Sequence, residues 1–254
     1  MIKPILEGHK VLVCRPEPSA SELCQVLNSV GATTCAFPCI EIQTIDIEAQ
    51  SKSIIYELDQ YEKVVVVSQH AAKLLVALVD EVWPQIPAHQ KWFGIGRKTT
   101  QILQEAGFDV VSHEKDFSSE ALLETPELTR VKGQKILIAK GKEGRSKLEQ
   151  GLRDRGARVQ AIELYQRINP EYSKQQLEKS IVDFNASSII TLSAETLDNF
   201  HAMAKSINAV PENTRLLVPS QRVAKHARSL GYKKVQVSEQ LKPIDIIRAL
   251  ARPA

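Results

Sequence analysis

Short runs of β-branched and other apolar residues alternate along this chain with longer stretches whose apolar positions recur every three or four residues. Runs such as Val64-Val65-Val66-Val67 show no polar alternation, the pattern of strands buried on both faces. The runs predict strands over 10–14, 33–37, 63–67, 92–95, 110–112, 135–139, 158–165, 188–192, 215–218 and 234–237. The amphipathic stretches predict helices over 19–30, 71–81, 98–106, 118–124, 145–155, 174–184, 195–207, 221–230 and 243–251. In the helix after Arg97, Ile102, Leu103 and Ala106 share a face and Gly107 ends it. Alternation of this kind predicts an α/β fold, with a parallel sheet covered by helices on both faces.

The pattern then repeats. Gly31 and Gly156 stand 125 positions apart in similar contexts, Leu27-x3-Gly31-Ala32 and Leu152-x3-Gly156-Ala157. Ser68 and Ser193 share that offset, each ending an apolar strand, and so do Val11 and Ile136. Gly107 and Gly231, each followed by an aromatic residue, are 124 apart. A unit of this length is too long for a solenoid repeat, so the chain of 254 residues reads as two similar α/β domains. Two divisions fit. One is a single cut in the polar stretch near 125–131. In the other, the equivalent extended segments at 37–45 and 162–168 are both crossover strands, so that one domain is split and the middle of the chain forms the second. Periodicity alone does not choose between them.

Composition narrows the function. With 33 basic and 30 acidic residues, Lys and Arg cluster no further than adjacent pairs such as Arg97-Lys98, which excludes the basic face of a nucleic-acid binder. The apolar runs are too short to span a bilayer, and residues 1–10 lack the apolar core of a signal peptide, so the expectation is a cytoplasmic protein. All four cysteines fall at positions 14, 24, 35 and 39; the Cys35-x3-Cys39 pair has no second half to complete a zinc site, and the four read as small buried hydrophobes.

In open parallel sheets ligands bind outside the carboxyl ends of the strands. Those positions carry Arg15-Pro16-Glu17, Ser68-Gln69-His70, Gly94-Ile95-Gly96-Arg97-Lys98-Thr99, Lys140-Gly141-Lys142-Glu143-Gly144-Arg145, Ser193-Ala194-Glu195 and Pro219-Ser220-Gln221-Arg222. Ser68, Ser193 and Ser220 each suit a helix N-cap. Taken together, hydroxyls, free N–H groups at helix starts and basic neighbours favour an anionic ligand. Sharper motifs fail: Gly94-x-Gly96-x-x-Thr99 lacks the third glycine of a dinucleotide fingerprint, the Lys142 loop has the wrong spacing for a Walker loop, and no G-x-S-x-G elbow is present. The six histidines show no metal-ligand spacing, no carboxylate pair stands out, and His70 suits a polar helix start better than acid–base work. Tyr165, in Ile162-Glu163-Leu164-Tyr165-Gln166-Arg167, reads either as a strand-end residue packed on the sheet or as a phenol able to donate a proton to a leaving oxygen.

In their order and spacing these residues resemble the uroporphyrinogen-III synthase family. The resemblance runs through Val11-Leu12-Val13-Cys14-Arg15-Pro16, Gly31-Ala32, Phe37-Pro38-Cys39-Ile40-Glu41-Ile42, Ser68-Gln69-His70-Ala71 and Gly94-Ile95-Gly96-Arg97-Lys98-Thr99. It continues in Lys140-Gly141-x3-Arg145-x2-Leu148, Gly156-Ala157, Tyr165-Gln166-Arg167, Ser193-Ala194-Glu195, Pro219-Ser220-Gln221-Arg222-Val223-Ala224 and Leu230-Gly231-Tyr232.

The resemblance implies two α/β domains joined by two extended crossover strands with a cleft between them, residues 1–37 plus 168–254 forming one and 38–167 the other. It implies conversion of the linear tetrapyrrole hydroxymethylbilane to uroporphyrinogen III, with loss of water and inversion of the last pyrrole, by a chain that uses no metal and no organic cofactor. Tyr165 matches the tyrosine proposed to assist departure of the hydroxyl. Ser68 and Thr99 match positions that hold substrate carboxylates, with Gly96 allowing close backbone approach, and Ser193 and Ser220 match their counterparts in the other domain. Arg15 matches an arginine whose role is binding or structural, and Lys140 and Arg222 complete the expected binding set. There are departures: Cys14 stands where Thr is usual, Lys140 where Arg is common and Leu192 where Thr is frequent, and Pro219-Ser220-x-Arg222 replaces a Gly-x-x-Thr form. A lysine is a point charge where arginine is a fork, so a bidentate contact at 140 is not expected. The partners expected are the small-molecule substrate and transient contact with the preceding pathway enzyme, with no nucleic acid and no membrane, and a monomer as the state. The rival reading is a non-catalytic two-domain module that closes on a small anion or effector.

Overall fold

The structure is a computed structural model that describes residues 4–46, 49–111, 119–143, 147–238 and 242–252. It divides into two compact units, one running up to Ile42 and again from Ile168 onward, the other spanning Gln43–Arg167. Each is built on a five-stranded sheet.

In the split unit the strands are β1 (Lys10–Cys14), β2 (Thr33–Ala36), β8 (Ser188–Thr191), β9 (Arg215–Val218) and β10 (Val235–Val237), in the order β10-β9-β8-β1-β2. All are parallel, with Val11 opposite both Thr34 and Ser188. One face carries α1 (Ser19–Ser29) and α11 (Pro243–Ala251), whose Leu23, Leu27, Ile246 and Leu250 close over Val11, Val13, Ile190 and Leu217. The other carries α9 (Ala194–Ser206) and α10 (Gln221–Ser229), whose Leu197, Phe200, Val223 and Ala227 cover Leu12, Cys14, Ile189 and Leu216. Alternate residues of a strand thus enter two cores, which explains the unbroken apolar runs.

The middle unit repeats the plan with β3 (Glu41–Thr44), β4 (Lys63–Val66), β5 (Lys91–Gly94), β6 (Lys135–Gly141) and β7 (Arg158–Ile168), in the order β3-β7-β6-β4-β5. Its helices are α2 (Ala49–Tyr56), α3 (Gln69–Val82), α4 (Arg97–Glu105), α5 (Ser119–Leu123), α6 (Pro126–Thr129) and α7 (Lys147–Asp154). Matched along the sequence offset, β6, β7, β4 and β5 stand where β1, β2, β8 and β9 stand in the other sheet. Gly31, Gly107, Gly156 and Gly231 all adopt φ between +82° and +98° just beyond a helix, the conformation that favours glycine at that point.

The structure departs from the periodicity in three places. The helix expected over 174–184 is α8 (Lys174–Leu177) followed by a wider π turn, Glu178–Asp183, in which the Phe184 N–H bonds the Lys179 carbonyl five residues back. Apolar Leu177, Ile181 and Phe184 keep spacings of four and three through that turn, so the pattern does not reveal it. The strand expected at 110–112 is a single bridge between Val110 and Trp92, residue 112 lying outside the described residues. Helices α2 and α6 and a 3-10 turn at Leu58–Gln60 were not anticipated, because stretches this short present too few turns to show a period.

Candidate active site

In the middle unit, β4 connects through α3 to β5 on one side and β6 through α7 to β7 on the other, so the strand order reverses between β4 and β6. The loops leaving those two strands part, and there a pocket of about 360 Å³ opens, lined by Val67, Ser68, Lys140, Gly141, Glu143 and Tyr165 among others. This is where an open parallel sheet is expected to hold its ligand.

Ser68 is the N-cap of α3: its backbone is extended and its Oγ accepts the Ala71 N–H at 3.1 Å. The same Oγ lies 3.0 Å from the Tyr165 Oη, with either hydroxyl able to donate. Tyr165 is 5% exposed and reaches Ser68 from the carboxyl-terminal half of β7. A β-bulge sets its direction. Lys140 pairs with Glu163, but Gly141 pairs with Tyr165, so Leu164 is the extra residue. The phenol therefore lies on the Gly141 face of the sheet, where a regular register would have turned it to the Lys140 face. The His70 ring stands 5.7 Å from the phenol ring, centroid to centroid.

Charge around the pocket is mixed. The Lys140 ammonium, only 14% exposed, lies 3.6 Å from a Glu163 carboxylate oxygen and 3.9 Å from one of Glu149. The Glu143 carboxylate accepts the Arg167 backbone N–H at 3.3 Å. Burial lowers the His70 pKa from its ordinary value of 6.5, and the nearby Lys73 and Arg167 charges lower it further. The α3 amino terminus adds its N–H groups and the positive end of its dipole.

The expected site residues thus divide. Ser68, Lys140 and Tyr165 meet in one pocket. Gly96 and Thr99 lie one strand over, at the start of α4: Gly96 caps it with φ +93° and no side chain, and Thr99 is buried in its first turn. In the split unit, Arg15, Ser193 and Ser220 leave the carboxyl ends of the adjacent strands β1, β8 and β9. Ser193 Oγ accepts the Thr196 N–H at 3.0 Å and meets the Thr196 Oγ1 at 2.8 Å; Ser220 Oγ accepts from Val223 at 3.4 Å. Arg222 is exposed beside it. Burial pushes the Arg15 guanidinium down to about 10 against an opposing pull from Glu22. Arg145, quoted within the Lys140 motif, lies outside the described residues. Sequence reading missed Glu149 and Glu163 as partners of Lys140. They come from a helix and a strand, so no local spacing links them, although Glu163 sits two residues before Tyr165. Among the described residues no group of three or more His, Cys, Asp or Glu is placed to hold a metal ion, and no helix is long and apolar enough to cross a membrane.

Two doubly wound units of one strand order, with a hydroxyl–phenol pair at the switch point of the second, define a duplicated parallel α/β protein with a polar pocket. The sequence model for uroporphyrinogen-III synthase HemD matches residues 21–248, and the chain belongs to that family. It is 29% identical over 252 residues to the uroporphyrinogen-III synthase of Escherichia coli (strain K12), covering 94% of this chain and 99% of the relative. It is also 29% identical over 243 residues to that of Salmonella typhimurium, with the same coverage. The fold is shared with solved uroporphyrinogen III synthases from Thermus thermophilus (TM-score 0.61, 17% identity, 95% and 96% of the two chains) and Helicobacter pylori (TM-score 0.59, 12% identity, 94% and 97%). The family is one of cyclising lyases in porphyrin biosynthesis, and the chain is an enzyme of that kind.

Proposed function

We propose that the chain closes hydroxymethylbilane to uroporphyrinogen III, with Tyr165 as the proton donor. The observation that carries the assignment of Tyr165 is its 3.0 Å contact with Ser68 in a pocket at the sheet's switch point. In the first step a pyrrole nitrogen lone pair expels the terminal hydroxyl: the C–O bond breaks, Tyr165 gives up its proton, and water leaves. Ser68 then donates its hydroxyl proton in a hydrogen bond to the phenolate, and the Ala71 N–H and the amino terminus of α3 stabilise the charge through the Ser68 oxygen. The harder task is to hold the chain so that the ring closes with inversion, which is catalysis by positioning.

The substrate's carboxylates call for donors. In this reading Lys140 offers its ammonium in competition with Glu149 and Glu163, Gly96 and Thr99 present the start of α4, and Arg15, Ser193, Ser220 and Arg222 take up further carboxylates. The reading extends to a cytoplasmic monomer in transient contact with the enzyme that makes its substrate. Sedimentation at 28.3 kDa supports the monomer, and a dimer mass contradicts it. The test of function is incubation with freshly generated hydroxymethylbilane and analysis of the product isomer. Type III product made faster than the spontaneous reaction is expected. Type I alone, at the spontaneous rate, is the result of a module that binds without turnover and contradicts the proposal.

A further inference from the structure

We infer that Gly141 is a positioning residue: its missing side chain is the seat on which the Tyr165 phenol rests. A Cβ added at 141 would lie 2.7 Å from both Cε2 and Cζ of the Tyr165 ring and 3.1 Å from its Oη. Real Cβ atoms do not approach ring carbons that closely, so any side chain there displaces the ring. Gly141 has no positive φ, so the requirement for glycine comes from this close approach and not from backbone conformation. The bulge creates the requirement. A regular register would place Leu164 opposite Gly141; the extra residue brings Tyr165 there instead, and paired residues of neighbouring parallel strands project to the same face. The ring also has little freedom to yield. Its hydroxyl is tied to Ser68, its backbone carbonyl accepts the Lys142 N–H at 2.9 Å, and His70 stands beside it. A methyl at 141 therefore lifts the phenol off the strand and breaks the Ser68 contact.

The functional half of this inference rests on the proposed role of Tyr165; the steric half does not, and the experiment separates them. Gly151 is the internal control, because the nearest atoms to a Cβ there belong to the Leu123 side chain, at the same 2.7 Å, and not to the phenol. Gly141→Ala should lower kcat roughly 10- to 100-fold with KM within about twofold, whereas Gly151→Ala should leave kcat within about threefold. In a Tyr165→Phe background, Gly141→Ala should lower kcat by no more than about threefold further, because the hydroxyl it misplaces is already gone. Equal losses in both backgrounds overturn the positioning role. A fully active Tyr165→Phe enzyme overturns the role of the phenol and leaves the seat to be judged by stability. For that, melting temperatures are compared for Gly141→Ala alone and with Tyr165→Val. The seat predicts that Gly141→Ala lowers Tm markedly against tyrosine and much less against valine, and a Gly141→Ala chain that does not fold should be rescued by the valine. An equal loss in both backgrounds, or a double variant that stays unfolded while Tyr165→Val folds, contradicts it.

Discussion

The two units carry the same scaffold and use it differently at corresponding points. Ser193 and Ser68 each follow an apolar strand and cap a helix, through the Thr196 and Ala71 N–H groups. Ser193 then closes on its own helix, meeting the Thr196 hydroxyl at 2.8 Å, while Ser68 reaches across the switch point to Tyr165. The residue 125 positions before Tyr165 is Ile40, buried and aliphatic, and the one before Gly141 is Pro16. The repeated fold thus supplies a capped helix start twice, but among the described residues only the middle unit sets a phenol and a bare glycine beside that cap.

The two units differ most at Tyr165. Removing the hydroxyl in Tyr165→Phe should slow turnover by roughly 10² to 10⁴ while leaving measurable activity, since positioning of the substrate remains; single-turnover assays measure it, and undiminished turnover would remove the phenol from the mechanism. The serine pair sharpens the contrast. Ser68→Ala and Ser193→Ala should each lose about 1 kcal/mol of cap stability, read from chemical denaturation midpoints. Only Ser68→Ala should also depress kcat, by about tenfold, with Ser193→Ala acting on KM; equal effects on kcat would erase the distinction between the units.

Lys140 and its counterpart Arg15, also 125 positions apart, offer the next contrast. Lys140→Gln should raise KM about tenfold, the loss of one charge-assisted contact, with kcat little changed. The smallest expected effect is the pH response of His70. Its folded pKa lies below 6.5, so the folded state disfavours the proton and the unfolded chain binds it more readily. Stability should therefore fall as pH drops below about 6.5 towards the folded value, and His70→Gln should flatten that part of the Tm–pH curve. A variant curve parallel to wild type between pH 5 and 7 would show that another group is responsible.

Much of this scaffold is legible without coordinates because burial on both faces writes itself as unbroken apolar runs, and glycines at 31, 107, 156 and 231 mark helix ends. Serines after such runs can be read as caps. What cannot be read is which cap meets a phenol. Ser68 and Tyr165 are 97 positions apart, and their meeting depends on a one-residue bulge between β6 and β7 that leaves no local pattern. The same holds for Lys140, whose partners on α7 and β7 are fixed by packing, and for the π turn after Leu177, where the apolar spacing still passes for an α-helix.

The proposed mechanism turns on the Tyr165 phenol, held by Ser68, assisting departure of the substrate hydroxyl. Its most direct test is the rate and isomer ratio of cyclisation of freshly generated hydroxymethylbilane by wild type and Tyr165→Phe under single-turnover conditions. Both should give type III product, the variant more slowly by at least about 100-fold. Equal rates would contradict it.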